Sequence, residues 1–317
     1  MTGKIDLIEH FRKGNVLFDG AMGSMLIAKG LQTGKPPEEW NRSKPSIVLQ
    51  IHKSYLEAGA HIIETNTFGS TPSRMASFGL GDEAGELNVA AVRLAREAIA
   101  GFNHDRSGKK GVAKSNNEIV PGSAGRFVAF SIGPTGKMLP PVGNASEEEI
   151  RAEFTHQIES IRNDVDLFLI ETIFDTREGI IALDAAKALT TVPVAVTLTF
   201  SKNPRGFFTI MGDEAKDAIG KLERTGADIV GANCTIASKD MVELARILRD
   251  STSLPILCQP NAGSPTVKGG IPVYEQRPEE FADDAIRILA EGINAVGGCC
   301  GTTPEFIREA ADRMIRR

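Results

Sequence analysis

No stretch of this sequence approaches the run of about 20 apolar residues that a membrane span needs. The first residues, MTGKIDLIEHFRKG, contain no apolar segment of the kind that marks a secretory signal peptide. A basic stripe is also missing. With a formal net charge of -5 the chain offers nothing that suits a nucleic-acid backbone. Cysteine is scarce, four in 317 residues, which excludes a disulfide framework and fits a reducing compartment, so the expected location is the cytoplasm. No G-x-G-x-x-G opens a helix after the first apolar run, so a doubly wound dinucleotide-binding sheet loses its support.

What is present is a repeated rhythm. Hydrophobic residues make up 41% and charged residues 24%, enough to bury a large core in an ordinary globular chain. Ile5, Leu7, Ile8 and Phe11 fall at helical spacing, which predicts a short amphipathic helix over 4–13 that can plug the bottom of a barrel. Eight apolar runs follow, at 16–20, 61–66, 127–133, 167–172, 194–199, 228–233, 255–260 and 293–296. Helical patterns fall between and after them, at 46–58, 82–100, 147–162, 176–188, 212–225, 239–249, 278–291 and 304–316. Runs that are apolar throughout belong to strands buried on both faces, as in a parallel sheet. Eight such βα units in this length predict one α/β domain over 1–317, a (β/α)8 TIM barrel. Gly59 and Gly226 are expected to end helices, and Asp175, Asp213 and Thr303 to begin them. Two stretches interrupt the rhythm. Residues 30–45, with Pro36, Pro37, Trp40 and Pro45, are expected to form a partial lid on the functional face. Residues 103–126 are polar and without periodicity, and are expected to form a solvated loop on the opposite face.

Half of the cysteines sit together in GGCCG, Gly297 to Gly301, directly after the last apolar run. A disulfide between neighbours would close a strained ring. A glycine-rich turn that holds phosphate explains the glycines but not the sulfurs, and two inert cysteines rarely share a glycine loop at a strand end. A metal accounts for both. Cys234, at the end of the sixth run, offers a third sulfur. Three thiolates leave one position open on a tetrahedral zinc, which is how catalytic zinc sites are made. In a barrel the C-terminal strand ends form the site, and this sequence places Asp19, Glu64, Asn66, Ser131, Glu171, Cys234, Asn261, Cys299 and Cys300 there. Zinc on three thiolates is electron-rich and suits a thiol as its fourth ligand. The chemistry implied is alkyl transfer to a thiolate, with Asp19 and Glu171 available to hold a substrate ammonium group. Taken singly, each acid could equally cap a helix or sit in an ion pair. A phosphate-handling lyase or isomerase would need lysines at strand ends, and they are absent. A non-catalytic thiol-binding subunit is the reading from another class.

FDGAMGSML (18–26), YLEAGAHIIETNTFGS (55–70), SIGPTG (131–136), IETIFDT (170–176), GANC (231–234), QPNAG (259–263) and GGCCGTTPE (297–305) together resemble the homocysteine S-methyltransferase family over almost the whole chain. The first two blocks look closest to the homocysteine module of cobalamin-dependent methionine synthase. The resemblance implies that Cys234, Cys299 and Cys300 bind zinc, and that zinc binds the homocysteine thiolate. It places Asp19 and Glu171 at the amino acid end of homocysteine and Asn261 at the fourth zinc position when substrate is absent. Glu64, Asn66, Ser131, Thr172 and Asn233 are the remaining candidates for contact with substrate. The sequence contains no corrinoid-binding D-x-H-x-x-G. The expected donor is therefore methylcobalamin carried by a separate corrinoid protein or module, with S-methylmethionine or a betaine as the competing donors. A large donor requires the mouth to be open around Gly20–Ser24, Asn66–Ser70 and Ser131–Gly136. A monomer is the expected state.

Overall fold

The computed structural model describes residues 7–108, 125–268 and 271–316. Its centre is a ring of parallel strands: β1 (Val16–Leu17), β2 (Ile62–Glu64), β3 (Phe127–Ile132), β4 (Leu167–Ile173), β5 (Val194–Leu198), β6 (Ile229–Ala237), β7 (Ile256–Asn261) and β8 (Ala295–Val296). They pair in the order β1-β8-β7-β6-β5-β4-β3-β2, and a parallel bridge between Phe18 and Ile62 joins β2 back to β1. At that seam His61 N donates to Leu17 O at 2.7 Å and Asp19 N donates to Ile62 O at 3.0 Å. The ring is therefore closed. Its main outer helices are Pro45–Ala58, Ala84–Gly108, Glu147–Glu159, Thr176–Leu189, Ala215–Thr225, Ser238–Ser251, Pro278–Ala290 and Pro304–Ile315. This is the (β/α)8 barrel that the eight apolar runs predict. Among the described residues no helix is long and apolar enough to cross a membrane.

The alternation of each strand explains the runs. Phe18, Phe127, Leu167, Leu169, Ile229 and Leu257 pack together in one cluster, while their neighbours Leu17, Val128, Phe168, Ile170, Val230 and Ile256 belong to the helix-facing core. Both faces are dry, so both are apolar. The helix Leu7–Lys13 joins the inner cluster through Leu7 and Phe11, with the Phe11 and Phe18 rings 6.0 Å apart. Asn294 Nδ2 donates to Phe11 O at 3.1 Å and fastens this plug to the start of β8.

Several local signals behave as the sequence predicts. Gly59 and Gly226 end their helices in the left-handed conformation, at φ 111° and 102°. Asp175 caps its helix by accepting from Arg177 N at 2.9 Å. Thr303 stands before Pro304 at a helix start, although its side chain makes no capping bond. Asp213 is not a cap. The helix begins later, after Glu214, and Asp213 instead accepts from Lys221 Nζ at 2.6 Å, a charge-assisted bond stronger than a capping one. The polar stretch at 103–126 also needs correction at its start. The helix Ala84–Gly108 runs through residues 103–108, where no proline interrupts it and glycine first appears at Gly108. Residues 109–124 lie outside the described part of the chain.

Two hairpins stand at the C-terminal end of the strands, beyond what the eight runs contain. Ser201–Asn203 pairs with Gly206–Phe208 after β5, and Thr266–Lys268 pairs with Ile271–Val273 after β7. The stretch 30–45 is folded rather than loose, with a 3-10 turn at Pro37–Glu39 and a short helix at Trp40–Ser43. Glu38 Oε1 accepts from Gly69 N at 2.6 Å and Asn41 Nδ2 donates to Asn66 O at 2.8 Å, so this segment covers the loop after β2.

Candidate active site

The three cysteines converge. The sulfurs of Cys234, Cys299 and Cys300 lie within 4.8 Å of one another, and those of Cys234 and Cys300 are 3.8 Å apart. A tetrahedral zinc with Zn–S bonds of about 2.3 Å sets its sulfurs about 3.8 Å apart. The donor set fits a zinc ion. As thiols, the trio shares its protons unevenly. Hydrogen bonds from Cys234 and then Cys299 pull Cys300 down to about 3, whereas Cys299 is pushed well up by its bonds to Cys234 and Cys300. A bound cation would draw all three sulfurs toward the thiolate form. Cys258 stands apart. It is fully buried in the helix-facing core, and burial pushes its thiol up to about 12.

Backbone irregularity aims these groups. β4 loses register with β5 between Ile170 and Ile173, and β6 loses register with β7 between Asn233 and Ala237. Within these bulges Thr172, Cys234 and Thr235 adopt φ of 60°, 59° and 60°, a region that non-glycine residues seldom occupy. The bulges turn Glu171 and Cys234 toward the barrel mouth. The Cys299–Cys300 loop is tied on both sides. Cys299 N donates to Pro260 O at 2.9 Å, and Cys300 N donates to Asn261 Oδ1 at 3.1 Å. On the other side Gly298 N donates to Asp19 O at 2.9 Å, and Tyr55 Oη donates to Thr302 O at 3.0 Å. A Cβ at Gly298 would come within 2.2 Å of the Thr302 hydroxyl, so only glycine fits between the cysteine loop and this anchor.

Beside the sulfurs is an acidic cluster. Asp19 and Glu171 are buried and Glu64 is half-buried. Glu171 accepts from Ser131 Oγ at 2.5 Å and from Asn233 Nδ2 at 3.1 Å. Glu64 Oε1 accepts from Gln259 Nε2 at 2.5 Å, and Glu64 N donates to Asp19 Oδ2 at 3.0 Å. Among the described residues the other oxygen, Asp19 Oδ1, is buried without a hydrogen-bond partner, and so is Gln259 Oε1. Burial drives all three carboxyl groups upward. Glu171 reaches about 7, while Asp19 and Glu64 rise well above the usual range, helped by the negative charge of their neighbours. An arriving cation would ionise them.

The remaining candidates divide. Ser131 and Asn233 hold Glu171, and Asn233 Nδ2 also lies 4.0 Å from Cys299 Sγ. Thr172 N donates to Asn233 Oδ1 at 2.8 Å, so Thr172 steadies the same group. Asn66 is committed elsewhere, its amide donating to Pro37 O at 2.8 Å and to Asn41 Oδ1 at 3.0 Å. Asn261 Oδ1 spends one lone pair on Cys300 N, which leaves one for a cation. The mouth is only partly open where an open face is expected. Residues 21–24 are half-buried or exposed. Residues 66–70 are largely buried beneath the 30–45 segment, and residues 131–135 are buried. The reason lies in Phe68, whose carbonyl accepts from Gly133 N at 2.9 Å, and in Glu178, which accepts from Thr135 N at 2.8 Å. Two residues of the site were outside the sequence reading. Gln259 sits two positions before Asn261, on the same face of β7, and that spacing was the available signal. Tyr274, whose side chain lies against the backbone of Gly301 in the cysteine loop, follows a hairpin and left no signal.

The chain matches the family model described as homocysteine S-methyltransferase over residues 16–314. It is 30% identical to methionine synthase of Mycobacterium leprae over 98% of its own length, and 30% identical to that of Mycobacterium tuberculosis over 96%. It spans about a quarter of the length of each of these relatives, 25%. Among solved structures, the metallated form of the homocysteine methyltransferase MmuM from Escherichia coli superposes with a TM-score of 0.76 at 23% identity, covering 94% of this chain and 96% of the other. That likeness is one of fold.

Proposed function

The chain belongs to the homocysteine S-methyltransferase family, and from that premise we propose that it moves a methyl group onto the thiolate of homocysteine, giving methionine, with zinc held by Cys234, Cys299 and Cys300. One juxtaposition supports this most. Three convergent sulfurs lie beside buried carboxyl groups, and one carboxyl oxygen, Asp19 Oδ1, is left without a partner among the described residues. A thiol at one end of a small amino acid and an ammonium at the other match that pair of environments. The bond from Gly298 N to Asp19 O, one residue from Cys299, sets the two environments side by side.

When bound, zinc on three thiolates supplies a soft position where a fourth sulfur ionises and stays nucleophilic. The rest falls to the protein. Asp19 and Glu171 hold the substrate ammonium through charge-assisted hydrogen bonds. Ser131 and Asn233 fix the direction of Glu171, and Gln259 fixes that of Glu64. Asn261, whose Oδ1 keeps one lone pair beside the bond from Cys300 N, would offer zinc an oxygen donor in the absence of substrate. In the transfer a carbon–sulfur bond forms while the bond from the methyl carbon to its carrier breaks, and the electron pair leaves with the carrier. A tertiary amine such as methylfolate leaves poorly, whereas a corrinoid or a sulfonium leaves well. The resemblance of FDGAMGSML and YLEAGAHIIETNTFGS to the homocysteine module of cobalamin-dependent methionine synthase favours methylcobalamin as the donor, presented by a separate corrinoid protein or another module. The test is a donor screen with homocysteine, read as methionine by mass. Methionine is expected with methylcobalamin and none with methylfolate alone. Turnover with S-methylmethionine or betaine, and none with methylcobalamin, would overturn the donor and leave the acceptor standing. No methionine from any donor would count against the whole reading.

A further inference from the structure

The apolar cluster inside the barrel includes Ile62, Ala129, Leu257 and Ala295. Two residues further along each chain segment, on the same inward face, stand Glu64, Ser131, Gln259 and Gly297. Gln259 on β7 reaches Glu64 on β2, with β8 and β1 between them in the ring. Gly297, just past β8, leaves room for that reach. A Cβ there would stand 2.6 Å from Phe18 Cβ, 3.2 Å from Gln259 Cγ and 3.2 Å from Asp19 O. The side chain of Gln259 and the backbone of Asp19 therefore approach one point.

The amide of Gln259 is only half used. Its Nε2 donates to Glu64 Oε1 at 2.5 Å, and an ionised carboxylate accepts only from the nitrogen, so the amide oxygen is the end left over. That oxygen is buried without a hydrogen-bond partner among the described residues, in a side chain belonging to a residue 1% exposed. Asp19 Oδ1 is in the same state, in a residue 2% exposed. Neutral donors serve the three carboxyl groups: Glu64 N, Gln259 Nε2, Ser131 Oγ and Asn233 Nδ2. What would complete the cluster is a cation that carries N–H groups.

We propose that Gln259 binds substrate directly, its Oε1 accepting an N–H from the ammonium of the amino acid whose thiol the cysteine site takes, as a third oxygen beside those of Asp19 and Glu171. A primary ammonium has three N–H donors, and these three side chains supply one acceptor each. An amide suits the third place better than another acid. It adds an acceptor without adding a fourth negative charge, where burial already disfavours the ionised carboxyl groups. A buried water is the other occupant that two orphaned oxygens would accept, and it would not tell a ligand with an ammonium from one without. The proposal rests on the reading of the substrate as homocysteine.

The experiment is calorimetric titration of the zinc-loaded chain with L-homocysteine and with 4-mercaptobutanoate, which lacks the ammonium, with zinc content measured in parallel. Gln259→Met fills similar space and loses both polar atoms. It is expected to weaken homocysteine on the order of 10- to 100-fold, from the worth of one hydrogen bond to a charged group, and to leave 4-mercaptobutanoate nearly unchanged. The titration stoichiometry reports the folded fraction, so affinities are read on folded chains. If Gln259→Met does not fold, Gln259→Asn, which draws the amide back by one methylene, should show a loss in the same direction. The same substitution in a Glu64→Leu background separates binding from positioning. A direct contact keeps its cost there, whereas a residue that acts only through Glu64 costs nothing once Glu64 is gone. Equal losses for both ligands, no loss for homocysteine, or a loss that vanishes in the Glu64→Leu background would each overturn the role of Gln259 and leave the homocysteine reading standing. A wild-type chain that binds no homocysteine would overturn both together.

Discussion

At the closed end of the barrel, Phe11 packs on Phe18, the strands alternate without interruption, and the residues are those any parallel sheet would use. At the open end the same strands break step. β4 and β6 bulge, Thr172, Cys234 and Thr235 take positive φ, and Asp19 Oδ1 and Gln259 Oε1 are buried without partners among the described residues. Features of that kind cost about 1–3 kcal/mol each. They persist because the closed end and the helix-facing core hold the strands regardless. The difference teaches where to look for function in such a fold. Polar atoms short of partners occur at the closed end too, His10 Nε2 in the plug helix among them, so what sets the open end apart is that its unpartnered Asp19 Oδ1 lies in a cluster of buried carboxyl groups beside three convergent sulfurs. The closed end is not free of polar groups. His61 Nδ1 accepts from Leu17 N at 3.0 Å, and burial, together with nearby Arg126 and His10, holds His61 down at about 3.

Damaging each end in turn should separate them. Cys299→Ala is expected to abolish zinc binding and methyl transfer while leaving the barrel folded, as judged by metal analysis and circular dichroism. Cys258→Ala, on the helix-facing side of β7, should keep its zinc. Phe11→Ala should do the reverse, losing about 3–5 kcal/mol of stability in denaturant unfolding while retaining the full zinc complement below the transition. If Phe11→Ala shed its metal as readily as Cys299→Ala, the two ends could not be treated as independent.

A smaller effect sharpens the open end alone. Glu171→Gln should weaken homocysteine binding by roughly 2–5 kcal/mol, read by calorimetry, with zinc content unchanged. Unaltered affinity in both Glu171→Gln and Asp19→Asn would remove the ammonium from this cluster.

The smallest effect is in acid, where the two ends should respond with opposite sign. His61 titrates near 6.5 when unfolded and about 3 when folded, so its contribution is present above 6.5 and is lost as pH falls toward 3. Glu171 is raised from 4.5 to about 7, so its contribution is present below 4.5 and is lost as pH rises through 7. Melting temperatures of the metal-free chain between those limits should show it. His61→Asn, which keeps an acceptor for Leu17 N, should gain on wild type as pH falls. Glu171→Gln should gain as pH rises. Curves parallel to wild type in both variants would show that neither group carries the pH dependence.

The contrast between the ends also decides how much could be read beforehand. Strand runs such as 167–172 and 228–233 were legible because both of their faces are dry and apolarity is the only requirement. Cys234, Cys299 and Cys300 were legible because strand ends meet in a closed barrel, whatever their separation along the chain. The bulges at Thr172 and Cys234 were not, since a positive φ in a non-glycine residue is imposed by neighbours rather than by its own chemistry. Asn66 stands at the strand end as expected, with its amide nitrogen turned to the 30–45 segment. Its amide is taken by Pro37 and Asn41, a tertiary contact that no local pattern encodes. The mouth is narrower than expected around residues 66–70 for the same reason, because folding the 30–45 segment onto the β2 loop covers them, while residues 21–24 and Gly136 stay accessible. Asp213 lost its capping role to an ion pair with Lys221, two turns along the helix.

The most direct measurement is X-ray absorption at the zinc edge of the purified chain, with and without homocysteine. Three sulfurs and one oxygen or nitrogen donor are expected around zinc in the free protein, and four sulfurs after homocysteine is added. A zinc environment with fewer than three sulfurs, or one that homocysteine leaves unchanged, would contradict the proposed site.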